Sequence, residues 1–124
     1  MDFLETLPAD CPPPQATQLS AEQIVYRISK ERPPTIDDFR SQRRERPNAR
    51  FNLPECIVCG VSVFTSEAQA VDKLKLPKFK GMYVAKVKLL PDSGHIQQTF
   101  SANHHTFWPF KSFYPAEALE ADAS

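Results

Sequence analysis

Glycine and long apolar runs are both scarce in this sequence. Only 3 of its 124 residues are Gly, against 12 Pro, which disfavours long uninterrupted helices and a Gly-rich phosphate loop. No apolar run approaches the roughly 20 residues that a membrane-spanning helix requires, so a membrane-spanning protein is excluded. The first residues do not combine a basic region with an apolar one, and they therefore predict no secretory signal.

A net charge is also missing, because 15 basic residues balance 15 acidic ones. A balanced total does not support a nucleic-acid partner or an anionic membrane surface. The distribution is nevertheless uneven, with a basic middle between two acidic ends. The strongest cluster is a set of arginines that predicts either a phosphate-binding face or a solvated helix face: Arg40, Arg43, Arg44, Arg46 and Arg50.

The 3 cysteines are an odd number and cannot all pair within the chain. A reducing compartment is the simplest place for such usage, so we predict a cytoplasmic location. Cys56 and Cys59 have the spacing of half a zinc site, for which Cys11 and a histidine are the remaining candidate ligands. No second such pair is present, and small buried thiols are common in strands. Zinc is therefore not expected.

What the sequence does contain suits one small domain. Its 124 residues are 41% apolar and 24% charged, as in ordinary globular proteins. The proline-rich residues 1–19 predict a flexible arm. Residues 20–115 predict a single α+β domain, and residues 116–124 predict a frayed acidic tail.

Local patterns within the predicted domain indicate short strands and two short helices. β-Branched and apolar runs predict strands at 24–29 and 56–64. Capping signals predict helices at about 36–45 and 66–74. Alternation followed by a PDSG turn predicts a hairpin at 81–100. The predicted fold class is α+β, with a small, mostly antiparallel sheet and two short helices.

The candidate site residues lie on predicted strands and in a late aromatic segment. Arg27 is suited to hold a phosphate through its planar guanidinium, or it forms an ordinary surface ion pair. Ser62 offers its hydroxyl to a ligand or satisfies it locally. His104 and His105 precede Trp108, a combination suited to nucleotide stacking and to general acid or base catalysis. The alternative is an aromatic lid with the histidines at its edge.

Four segments of the sequence resemble, in their order, small bacterial domains of uncharacterised function. These segments are YRIS at 26–29, PTIDDF at 34–39, GVSVF at 60–64 and HHTFWP at 104–109. More distantly, the same order resembles the ADP-ribosyltransferase fold. The likeness covers residues 24–110 in element order only.

The resemblance implies roles for particular residues. In that superfamily a first-strand Arg or His contacts NAD, a Ser on a later strand orients the nicotinamide ribose, and a third residue, often Glu, assists transfer. Arg27 matches the first role and Ser62 the second. The HIQQTF strand offers Gln and no Glu for the third role, so His104 and His105 are its substitutes.

Two functions from different classes follow. The first is a nucleotide-binding domain of NAD or ADP-ribose type, with Trp108 stacking on the ligand. Such a domain is either an ADP-ribosyltransferase-like enzyme or a degenerate relative that only binds NAD. The second is a small protein-interaction module, of antitoxin or immunity type, that uses the Arg-rich helix and the aromatic segment. A convergent pocket favours the first function, and a flat exposed aromatic patch favours the second.

Overall fold

A computed structural model describes residues 2–115 of the chain. Its strands are β1 (Thr17–Gln18), β2 (Gln23–Ser29), β3 (Val61–Phe64), β4 (Tyr83–Leu89), β5 (Gly94–Gln98) and β6 (His104–Pro109). Its α-helices are α1 (Gln42–Glu45), α2 (Glu55–Val58) and α3 (Glu67–Lys73). Single 3-10 turns lie at Ile36–Phe39 and Pro77–Phe79. The frayed tail predicted at 116–124 lies outside the described residues.

The strands form one antiparallel, six-stranded sheet in the order β1-β5-β6-β3-β2-β4. The predicted fold class, α+β with a small, mostly antiparallel sheet, is therefore confirmed. The described residues contain three α-helices, where two helices were predicted. No helix among them is long and apolar enough to cross a membrane.

The hairpin predicted at 81–100 is wrong, although its turn is present. Ser93 closes that turn, since its N–H donates to the Leu90 carbonyl at 2.9 Å and its hydroxyl accepts from the Leu90 N–H at 2.8 Å. However, β4 pairs along its whole length with β2, and β5 pairs with β1 and β6. The turn thus joins the edge strand β4 to β5, which lies next to the other edge of the sheet. The sheet therefore curls, so that the end of β4 comes close to the start of β5.

The strand predicted at 56–64 is correct only in its second half. Glu55–Val58 form α2, which begins after Pro54, and β3 begins at Val61 after Gly60. A short apolar run does not distinguish a buried strand from a buried helical turn. Here Pro54 favours a helix start because its fixed φ and missing N–H are tolerated at a helix N-terminus.

The two predicted helices differ in outcome. The helix at 66–74 is confirmed as α3, and the Ser66 hydroxyl caps it by accepting from the Gln69 N–H at 3.3 Å. The helix at 36–45 is interrupted, because Arg40 is extended and Ser41 caps α1 anew. The chain therefore changes direction at Arg40.

Apolar side chains pack on both faces of the sheet. One core cluster includes Val25, Val63, Val87 and Phe107, all fully buried, together with Phe39 from the first 3-10 turn. The second cluster joins α3 to the opposite face, and its buried members are Ile28, Phe64 and Ala70. Five polar side chains are nevertheless buried among the described residues: Ser29, Asp38, Ser41, Ser93 and Thr106.

The segment predicted as a flexible arm is attached to the rest of the described residues at several points. Strand β1 pairs with β5, Phe3 forms a bridge with Phe110, and Cys11 forms a disulfide with Cys56. The flexibility of residues 1–19 stays a prediction. The disulfide is a pairing that the sequence analysis did not make, since an odd cysteine count does not indicate which residues pair.

Candidate functional site

The sheet opens into a cleft between β2 and β3. These two neighbouring strands share a single register pair, Tyr26 with Phe64. Next to that pair lies a cleft of about 760 Å³, within the size range of small-molecule sites. Its walls come from β2, β3, β6, α3 and the segment around the first 3-10 turn. Arg27, Ser62 and His104 all line it.

Arg27 is fixed at the floor of the cleft by backbone carbonyls. Its Nε–H donates to the Asp38 carbonyl and its Nη1–H to the Ser62 carbonyl, both at 2.9 Å. Its guanidinium also lies 5.8 Å from the centre of the Phe39 ring. No other hydrogen-bond acceptor for it lies among residues 2–115, which leaves three of its five N–H groups without a partner there.

Burial lowers the pKa of Arg27 to about 10, although the carboxylates of Asp38 and Glu45 oppose that shift. The guanidinium is therefore still charged at neutral pH. A charged, partly desolvated guanidinium with a fixed orientation is suited to bidentate contact with a phosphate or carboxylate.

Ser62, His104 and Thr99 form a hydrogen-bonded chain on one wall. The His104 Nε2 lies 3.0 Å from the Ser62 Oγ. The His104 Nδ1 lies 2.9 Å from the Thr99 Oγ1 and 3.1 Å from the Thr99 carbonyl oxygen. Phe64 holds the ring edge-on, with the ring centres 5.3 Å apart. Burial lowers the pKa of His104, so the imidazole is neutral at pH 7.

The rim of the cleft is predominantly basic. Besides Arg27 at the floor, five basic and three acidic side chains line the cleft, and the basic ones are Lys30, Arg40, Arg46, Lys73 and Lys78. Among the acidic ones, Asp37 pairs with Arg40 at 3.0 Å. Asp38 is buried and accepts the backbone N–H groups of Lys30 at 2.7 Å and Thr35 at 3.0 Å. The excess of positive charge among the lining side chains produces an electrostatic field that favours an anionic ligand.

Phe100 is a residue of this site that the sequence analysis missed. It is 69% exposed, lines the cleft and lies 5.1 Å from the His104 ring, centre to centre. Its φ of +66° places it in the left-handed region, uncommon for an aromatic residue. No local signal in the sequence indicated its place in the site, because that place depends on β6 lying beside β3.

The structure does not bring His105 and Trp108 to the cleft. Successive strand residues point to opposite faces, and His105 lines a second groove of about 430 Å³. Its Nδ1 is buried there without a hydrogen-bond partner among the described residues. Trp108 has no exposed surface, and its indole N–H donates to the Cys56 carbonyl at 3.0 Å. The Trp108 ring therefore does not reach the cleft, where it was predicted to stack on a ligand.

The cysteines do not offer a metal-binding pair. The sulfur of Cys56 is bonded to that of Cys11. Cys59 is buried, and burial together with the neighbouring Glu55 raises the pKa of its thiol to about 11. Within residues 2–115 no three His, Cys, Asp or Glu side chains are grouped so as to hold a metal ion.

Comparison with known proteins gives no match for this chain among protein families, curated proteins or solved structures.

Proposed function

We propose that the cleft binds a nucleotide of NAD or ADP-ribose type. The observation that supports this most directly is that Arg27, Ser62 and His104 line one cleft of about 760 Å³. They provide a cation for phosphate and two polar groups for hydroxyls, on neighbouring strands. The resemblance to ADP-ribosyltransferases suggested the same residues, and whether the protein transfers ADP-ribose or only binds the nucleotide belongs to this proposal.

The parts of such a ligand match different walls of the cleft. The free N–H groups of Arg27 and the basic rim suit the diphosphate. The Ser62 hydroxyl and His104 suit a ribose hydroxyl, which both donates and accepts hydrogen bonds. Phe100, exposed at the mouth, provides a flat face for a base or a nicotinamide ring.

Ligand-dependent stability tests the proposal. A ligand that binds only the folded state raises the free energy of unfolding by about 2.7 kcal/mol at a hundredfold excess over its Kd. We expect NAD and ADP-ribose to raise the melting temperature, and adenosine, which lacks phosphate, to raise it much less. The absence of a shift with either phosphate-bearing compound would overturn the proposal.

Two adjacent histidines give a matched pair of variants. His104→Gln removes a cleft residue, and we expect its Kd for ADP-ribose to rise roughly tenfold, the effect of losing about 1.4 kcal/mol. His105→Gln changes the same residue type on the opposite face and should leave the Kd unchanged. Isothermal titration calorimetry measures both values. Equal losses in the two variants would contradict the proposed site.

The protein-interaction module stays a prediction, and no specific contact favours it. Of the five aromatic residues proposed for its surface, Tyr114 is 56% exposed and the other four are buried: Phe107, Trp108, Phe110 and Phe113. In the Arg-rich segment, Arg43 is bonded to Glu55 at 2.7 Å and to backbone carbonyls. These groups are therefore used within the molecule.

The cytoplasmic location also stays a prediction. The Cys11–Cys56 disulfide weighs against it, because disulfides persist mainly in oxidising compartments. Alkylation of thiols at the moment of cell lysis, followed by mass spectrometry, decides whether these two residues are paired in the cell.

A further inference from the structure

Both hydrogen-bond contacts of the His104 Nδ1 are with a single residue, Thr99. Nδ1 lies 3.1 Å from the carbonyl oxygen of Thr99 and 2.9 Å from its hydroxyl. A carbonyl oxygen can only accept, so the 3.1 Å contact is a hydrogen bond only when Nδ1 carries the proton. The opposite tautomer would place the Nδ1 lone pair against the lone pairs of the carbonyl. The neutral ring therefore has its proton on Nδ1 and a lone pair on Nε2.

The remaining protons follow from that assignment. The Nε2 lone pair accepts from the Ser62 hydroxyl at 3.0 Å. The Thr99 hydroxyl accepts from Nδ1 and directs its own hydrogen to the Thr106 Oγ1, 2.8 Å away. Thr106 is buried, at 2% exposed, which shields this end of the chain from water. Every bond in the chain then runs in one direction, from Ser62 through His104 to Thr99 and Thr106.

We propose that Thr99 is a positioning residue that holds His104 in the Nδ1–H tautomer, so that Ser62 and His104 together form a proton acceptor facing the cleft. The hydrogen of Ser62 is directed at His104, and its Oγ therefore meets a ligand with lone pairs. A hydroxyl or water bound there can pass its proton to Ser62 Oγ while the Ser62 proton moves to Nε2. No oxidant or other reactant is needed, and the products are an imidazolium and the deprotonated oxygen of the hydroxyl or water, which stays beside Ser62.

The purpose of this acceptor rests on the proposed function, since it is the nucleotide that would bring a hydroxyl or water to Ser62. The surroundings favour the neutral imidazole that such an acceptor requires. Burial is the main cause that lowers the pKa of His104, and the neighbouring His105 and Lys73 add to it. The Thr99 carbonyl opposes the shift because it accepts from the ring.

The tautomer is measured in the free protein, by long-range proton–nitrogen NMR on ¹⁵N-labelled histidine. We expect Nδ1 of His104 to be protonated and Nε2 to have the shift of an unprotonated nitrogen. Thr99→Val removes the shorter of the two acceptors with little change of shape. The Thr99 carbonyl, which alone requires a proton on Nδ1, remains in this variant. We therefore expect the Nδ1–H tautomer to persist and the His104 pKa to be lower than in the wild type, because the imidazolium loses one acceptor. Thr99→Ser, which restores the hydroxyl, should return the His104 pKa towards the wild-type value.

Thr65→Val is the matched control. The Thr65 hydroxyl donates to the Oδ1 of Asn103 at 3.2 Å, and Asn103 lies between β5 and β6, as Thr99 does. Thr65 has no hydrogen bond to His104. This variant should leave the His104 signals unchanged. A wild-type ring protonated on Nε2, or equal changes in the Thr65 and Thr99 valine variants, would overturn the role of Thr99. If Thr99→Val does not fold, the wild-type and Thr99→Ser spectra decide.

No nucleotide is present in these spectra. Failure of ADP-ribose to bind therefore overturns the proposed function alone, and a wrong tautomer overturns the positioning role alone.

Discussion

At the scale of single residues, Ser41 connects the N-terminal segment to the wall of the cleft. It is 1% exposed, its hydroxyl donates to the Glu5 Oε1 at 2.6 Å, and its N–H donates to the Glu5 Oε2 at 2.9 Å. The same hydroxyl accepts from the Arg44 N–H at 3.2 Å and so caps α1. Since Gln42 and Glu45 of α1 line the cleft, Glu5 stabilises that wall.

Glu5→Ala should therefore destabilise the fold. The change leaves a buried N–H without its acceptor, and we expect the free energy of unfolding to fall by about 1–3 kcal/mol. Glu22→Ala is the control, because Glu22 pairs with Lys88 at 2.6 Å but is 60% exposed, and exposed pairs contribute about 0–1 kcal/mol. Chemical denaturation measures both variants. An equal loss of unfolding free energy in the two variants would show that the Glu5–Ser41 contact contributes no more than an exposed ion pair.

At the scale of elements, local bonds were predictable from the sequence and strand pairing was not. The cap of Ser66 and the buried alternation Ala85, Val87 and Leu89 depend on neighbours within a few residues, and the structure shows both. Tyr83 continues the same alternation but is 42% exposed, because it is the first residue of β4. The partner of β4 is β2, nearly sixty residues away, and no local pattern specifies it.

The candidate site shows the same division. Arg27 and Ser62 were predictable because each is a polar residue inside an apolar strand. Thr99 and Phe100 were not, since their proximity to Ser62 depends on β6 lying beside β3. The opposite orientations of His104 and His105 follow from strand alternation alone, once it is known that both residues belong to one strand.

The disulfide is the covalent link between two such elements, the N-terminal segment and α2. Its cysteines are 45 residues apart, and a loop of that length corresponds to about 4 kcal/mol of lost chain entropy in the unfolded state. We expect the Cys11→Ser, Cys56→Ser double variant to lose up to that amount in chemical denaturation, and reduction of the wild type to have the same effect. Titration of three free thiols in the unreduced, unfolded protein would show that the bond is absent.

At the scale of the whole molecule, its three histidines share one electrostatic property. Burial is the first cause that lowers the pKa of His95, His104 and His105. The folded state therefore binds protons more weakly than the unfolded chain at these positions. This difference adds nothing to the free energy of unfolding at pH values below the folded-state pKa values of the histidines. Its full stabilising contribution is present only at pH values above the ordinary histidine pKa of about 6.5.

The free energy of unfolding should accordingly fall as the pH is lowered through 6.5, because the unfolded chain takes up more protons than the folded one. Urea denaturation at a series of pH values from about 8 to 5 measures this slope. His104→Gln should make the dependence shallower, since one of the three groups no longer titrates. A free energy that rises as the pH falls over this range would contradict the assigned directions.

Arg27 has two duties because of the single register pair between β2 and β3. Where backbone pairing stops, its guanidinium bonds the Ser62 carbonyl across the seam, and the same guanidinium is the cation at the floor of the cleft. One side chain therefore both links the two halves of the sheet and attracts an anion. Any replacement that weakens one weakens the other, and this position has less freedom to change than its partly buried setting suggests.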